Sequence, residues 1–209
     1  LDRNYKEFKT KEKRRIDMSD VKNAYNQIID FLNNETEKTL LLRGIADKEK
    51  HQALLKALNS QGNLKGLINL IHTTKDGMDN FFRWAELYKV NVPKKSGQGM
   101  KLSNLTIFFD NLTTKGNSEK YDNYEFDFMI IWPIQSVTKN EKEIQMLKEM
   151  AERQKTKKII YLTIKEPWYN PDSLDPIVDR VIKLDCENDD PKEYQRILAA
   201  YEEDMKRRY

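Results

Sequence analysis

The chain has one cysteine, Cys186, so it can form no internal disulfide and no cluster of thiolates around a metal. Its only histidines, His51 and His72, lack the close spacing of a local zinc pair. No G-x-S-x-G element is present to seat a serine nucleophile. No apolar run approaches the roughly 18 residues of a membrane-spanning helix, and no N-terminal stretch has the apolar core of a signal peptide. Apolar residues make up 38% of the 209 and charged ones 34%, a balance expected of a cytoplasmic, well-solvated domain.

The net charge of +3 is unevenly placed. Residues 1–15 hold seven cations against three carboxylates, with Lys9, Lys11, Lys13, Arg14 and Arg15 forming the densest part. We divide the chain into a basic arm, residues 1–18, and a single domain, residues 19–209. A solvated leader is one reading of the arm; a contact to phosphate backbones or acidic partners is the other.

Beyond the arm the chain reads as alternating strands and helices. Ser19 caps a helix with Val21, Tyr25, Ile28 and Leu32 on one face. Leu40, Leu41 and Leu42 form a short apolar run read as a buried strand; Gly44 ends it, and a helix comes next with Leu54, Leu55 and Leu58 on one face. Gly66–Ile71 is a second strand. Residues 76–89 form a helix dense in aromatics, read as a core helix in preference to a base-stacking platform. Residues 91–101 form a flexible basic loop with Lys94, Lys95 and Lys101 as candidate nucleic-acid contacts. The strands Leu105–Phe109 and Phe126–Trp132 are expected to pair as a long projecting hairpin. Asn140 and Glu143 make a capping box for the next helix, Lys158–Thr163 and Arg180–Leu184 are strands, and Asp190-Pro191-Lys192-Glu193 opens the last helix.

Alternation of this kind implies an α/β three-layer sandwich with a mostly parallel central sheet, here of about five strands, plus the projecting β-hairpin. The strand, glycine and helix around Gly44 are the frame of a phosphate-binding loop, with Gly44, Glu49, Lys50 and His51 where the motif asks for Gly, Gly, Lys and Ser or Thr. With FDFMIIWPIQSV as a Walker B segment, KIIYLT as the next strand and Asp179-Arg180-Val181-Ile182 as a late one, residues 36–185 resemble the P-loop NTPase superfamily in its RecA/AAA-like branch.

The departures shape the functional expectation. Trp132, Pro133 and Ile134 stand where that family carries a magnesium-directing acid, so the metal would need Asp110 at the end of the LTIFF run or an acid from a neighbouring subunit. Glu49 replaces a glycine, at an expected cost on the order of 1–3 kcal/mol in backbone strain. Its charge adds roughly 4 kcal/mol of repulsion toward a phosphate about 4 Å away. His51 lacks the metal-holding hydroxyl. The resemblance therefore implies a nucleotide site that is vestigial, no catalytic residue, and no resident cofactor, with ATP and magnesium as the outside case. The expected role is a non-hydrolysing subunit that binds or scaffolds nucleic acid or a DNA-processing complex, with a homo-oligomer compatible. A divergent ATPase using Lys50 and a pure protein-interaction domain are the alternatives.

Overall fold

The computed structural model describes residues 19–70, 75–93, 97–111, 124–164, 166 and 169–208. In chain order its elements are α1 (Asp20–Asn33), β1 (Thr39–Arg43), α2 (Asp47–Ser60), β2 (Leu64–Leu70), α3 (Lys75–Trp84), β3 (Gly99–Leu102), β4 (Leu105–Asn111), β5 (Phe128–Trp132), α4 (Glu141–Arg153), β6 (Lys158–Leu162), β7 (Arg180–Lys183) and α5 (Pro191–Arg208). Short 3-10 turns lie at Ile134–Val137 and Asp172–Ile177.

All seven strands join one sheet in the order β3-β4-β2-β5-β6-β1-β7. Every pairing is parallel except β3 with β4. The sheet is thus two strands larger than the sequence suggests. Six of the seven strands coincide with runs read as strands in the sequence, two of them assigned to a hairpin apart from the sheet; the one not foreseen is β3, which occupies the end of the stretch read as a loop.

The expected hairpin between the Leu105 and Phe126 strands is not formed. β2 lies between β4 and β5 and pairs in parallel with both, so the two run the same way and must be joined by a crossover. The hairpin that does form is β3–β4, closed through Ser103 and Asn104, with Ser103 at φ +52°.

The triple leucine is explained by burial on both faces. Leu40 and Leu42 join one core with α1, α2 and α3; Leu41 joins another with α4 and the Ile134 turn. β5 is fully buried along its length, as its unbroken apolar sequence requires. Gly66 in β2 faces Phe128 of β5, and a Cβ there would lie 2.1 Å from the ring, so the glycine makes room for the phenylalanine.

Caps follow the sequence closely. Ser19 accepts from Lys22 N, Asn140 from Glu143 N, and Asp190 from Glu193 N. The aromatic helix stops earlier than its periodicity suggests. Glu86 turns to φ +61°, with Glu86 N and Leu87 N returning to the carbonyls of Arg83 and Phe82. Tyr88 therefore leaves the helix and stands 72% exposed, while Phe81 and Phe82 fill the core.

Candidate functional site

β1 lies between β6 and β7 at the centre of one half of the sheet, so the loops leaving all three meet at their C-terminal ends. This is where open parallel sheets place their ligands. The turn leaving β1 is short. α2 already includes Asp47, so only Gly44, Ile45 and Ala46 lie between strand and helix. Gly44 sits at φ +114°, and a Cβ on it would be 2.2 Å from the Leu184 carbonyl oxygen. Glu49 falls in the first turn of the helix with ordinary helical geometry, so the strain expected of it does not arise.

The backbone N–H groups of this turn are already engaged. Gly44 N donates to the Glu166 carboxylate at 2.7 Å, Ile45 N to the Asp185 carboxylate at 3.0 Å, and Ala46 N to the Leu184 carbonyl at 3.2 Å. Two of the chain's own carboxylates, delivered just after β6 and β7, thus take the donors that a phosphate would use.

Lys50 is wholly buried and points into the turn. Its ammonium donates to the Gly44 carbonyl, to the Thr163 carbonyl at 3.0 Å and to the Thr163 hydroxyl at 2.9 Å, and pairs with the Asp47 carboxylate at 3.1 Å. Burial lowers its pKa; the charges of Asp47, Glu166 and Asp185 work the other way. The Thr163 hydroxyl donates its own proton to Glu166 at 2.8 Å, and Glu166 lies 3.5 Å from Arg43, which also pairs with Asp172 at 2.8 Å. Lysine, threonine and glutamate close one network across the ends of β1 and β6.

His51 is also buried, within an aromatic cage. Its ring meets Phe81 edge-on at 5.3 Å, stacks near Trp84 at 6.3 Å and meets Trp132 edge-on at 5.7 Å. Nδ1 lies 2.6 Å from the Asp47 carbonyl, which fixes it as the donor and leaves Nε2 unprotonated. Burial drives the imidazole pKa down to about 3. Nε2 has no hydrogen-bond partner. One nitrogen among three aromatic rings does not fit magnesium, which takes oxygen ligands in an octahedron. Gln135, just past β5, is spent on the backbone of Ile164, to which its side chain both donates and accepts.

The sequence-derived residues are therefore only partly gathered. Gly44, Glu49, Lys50 and His51 lie together, and Trp132 comes up against His51. Asp110 is buried on β4, four strands from β1, a separation of about 19 Å at the usual strand spacing. It shares no site with Lys50. Lys101 is exposed on β3 at the far edge of the sheet. Lys9, Lys11, Lys13, Arg14, Arg15, Lys94 and Lys95 lie outside the described residues. The sequence reading missed Glu166, Asp185 and Thr163. The available signal was positional: each ends or follows a strand neighbouring β1.

Among the described residues no group of three or more histidines, cysteines and carboxylates is arranged to hold a metal ion, and no helix is long and apolar enough to cross a membrane. No protein-family model matches the sequence, and no curated protein matches it.

Proposed function

We propose that this chain is a non-hydrolysing binding or scaffolding subunit, built on a P-loop-like α/β frame and directed to nucleic acid or an assembly that processes it. One observation carries the first half of the reading: the Lys50 ammonium is turned inward and saturated by Gly44, Thr163 and Asp47. A lysine that neutralises a polyphosphate must present free N–H groups outward; this one has none to offer without breaking the turn. The contact between His51 and Trp132 supports the frame itself. In the resemblance these positions answer to the metal-holding hydroxyl and to the strand-end acid, which lie side by side around one cation. Here the same two positions touch, as rings.

The nucleic-acid half rests on charge. Seven cations among the first 15 residues, with Lys94, Lys95 and Lys101 in a second stretch, suit a phosphate backbone, while the remainder of the chain is close to neutral. A working ATPase finds less support, because Asp110 is too far from Lys50 to share a cation with it.

Two measurements test this. Calorimetry with ATP and magnesium at millimolar concentration is expected to give no binding heat. Binding of duplex or single-stranded DNA is expected to weaken steeply with salt, and to lose several-fold affinity when Arg14 and Arg15 are changed to glutamine. Saturable nucleotide binding would overturn the first half. DNA binding indifferent to salt and to the arm, or no binding at all, would overturn the second and favour the protein-interaction alternative.

A further inference from the structure

Side-chain alternation gives the far half of the sheet two unlike faces. Met100 and Leu102 of β3, with Leu105, Ile107 and Phe109 of β4, pack into the core beneath α2 and α3. Lys101 and Thr106 therefore face the other way. On β2, Ile68 and Leu70 take the side of that core and Leu67 takes the opposite one, so Lys65 goes with Leu67. The register then sets Lys101, Thr106 and Lys65 side by side across three strands, with Thr106 opposite both lysines. Two strand spacings hold the lysine backbones about 10 Å apart.

A cavity of about 320 Å³ opens here, with both lysines, Ser103 and Thr106 in its lining and no carboxylate among the described residues around it. Both lysines are exposed, and among the described residues neither ammonium pairs with a carboxylate. The Lys65 ammonium lies instead over three rings, 5.3 Å from the centroid of Phe108, 5.4 Å from that of Phe126 and 5.8 Å from that of Tyr124. Contacts of this kind hold a cation in place without neutralising it. Asp127 accepts from Lys65 N at 2.9 Å, but its charge is matched by the Lys157 ammonium at 2.8 Å. The Tyr124 ring is half exposed and lies nearly parallel to Phe126, at 16°.

We propose that this face seats single-stranded nucleic acid, with a backbone phosphate entering between Lys65 and Lys101 beside Thr106 and a base stacking on Tyr124. Charge complementarity selects a polyanion: the cavity offers two unneutralised cations and the hydroxyls of Ser103 and Thr106, which are phosphate donors. The rings beside those cations select a polyanion with open bases, because a duplex keeps its base faces covered. The inference rests on the reading of the chain as a nucleic-acid binder and deepens it. It adds a contact on the folded domain to that of the arm, brings in Lys65 as the partner of Lys101, and names the strandedness of the ligand.

The test is fluorescence anisotropy of the full-length chain with a labelled oligothymidylate, and with a duplex of equal length, at a series of salt concentrations. Lys65→Gln/Lys101→Gln should lower the single-strand slope of log K against log salt by about 1.4, at about 0.7 for each lost contact, and the affinity by roughly tenfold or more near 0.1 M salt. Lys65→Arg/Lys101→Arg should keep the slope. Tyr124→Leu should weaken single-strand binding by roughly tenfold with the slope unchanged. Lys142→Gln/Lys148→Gln, the same charge change at exposed positions of α4, should leave slope and affinity as they are. An unaltered slope in the Lys65 and Lys101 glutamine variant, in a protein that does bind the oligonucleotide, would overturn the proposal and leave the functional reading standing. A slope that falls for the duplex alone would overturn it too. No binding of either oligonucleotide by the unaltered protein would refute the functional reading, and this seat with it.

Discussion

The imidazole of His51 meets the indole of Trp132 edge-on, with centroids 5.7 Å apart and planes at 88°. Phe81 lies against both, its centroid 5.3 Å from one and 5.4 Å from the other. A neutral histidine is a satisfactory member of such a cluster; a charged one is not, because its ring would have to be desolvated without a carboxylate to pair with.

Burial of this ring makes stability depend on pH. The folded-state pKa of His51, about 3, lies below the ordinary value of 6.5. Between those limits the unfolded chain takes up a proton that the folded chain refuses, so stability is present above pH 6.5 and is lost as pH falls. The expected slope is about a tenfold loss in the folded-to-unfolded ratio per pH unit. His51→Phe should flatten that slope between pH 6.5 and 4.5, before carboxylates titrate. Urea midpoints measured across this range check it, and an unchanged slope in the variant would assign the effect elsewhere.

Lys50→Ala should act on stability. It leaves the Gly44 and Thr163 carbonyls and the Asp47 carboxylate without their shared cation inside the protein. Breaking a buried pair in this way costs about 3–5 kcal/mol. Equilibrium denaturation measures it; a loss below about 1 kcal/mol would mean the ammonium is free to swing out.

Gly44→Ala should be at least as damaging. The new Cβ would meet the Leu184 carbonyl at 2.2 Å, and the residue would have to hold φ +114°. A cost above about 3 kcal/mol is expected from strain and overlap together. Gly62→Ala is the comparison: its φ is +95°, but nothing lies within 4 Å of the added atom, so strain alone should show.

Asp179→Asn should loosen the junction between β1 and β7. The Asp179 carboxylate accepts from Lys38 N, Thr39 N and the Thr39 hydroxyl, each at 2.8 Å. Against a desolvation that would raise it, the Thr39 and Lys38 donors hold its pKa below the usual carboxylate range. Its stability contribution is therefore present above about pH 4 and lost as pH falls through the lowered value. Because the group is partly exposed, a loss of about 1 kcal/mol at neutral pH is expected. Faster amide exchange at Lys38 and Thr39 would localise it.

The fold was legible where one residue decides a local matter. Ser19, Asn140 and Asp190 each cap the helix they announce, because a cap is a contact within four residues. Buried strands announced themselves as runs without period, as in Leu40–Leu42 and Phe128–Trp132. The pairing of strands was not legible. Nothing in the sequences of β4 and β5 shows that β2 lies between them, since that is settled by packing over long separations. The site was half legible for the same reason. Gly44 and Lys50 stand out by spacing along a single strand and helix. Their partners Glu166, Thr163 and Asp185 come from two other strands and become neighbours only when the sheet forms.

A cation that fills its own turn has a consequence for the folded population. A protein whose binding loop is completed by a diffusible ligand gains stability in proportion to the logarithm of that ligand's concentration. Here the completing charge is covalently part of the chain and cannot be diluted. On the proposed reading, the share of this protein that is folded should therefore not vary with the concentration of ATP.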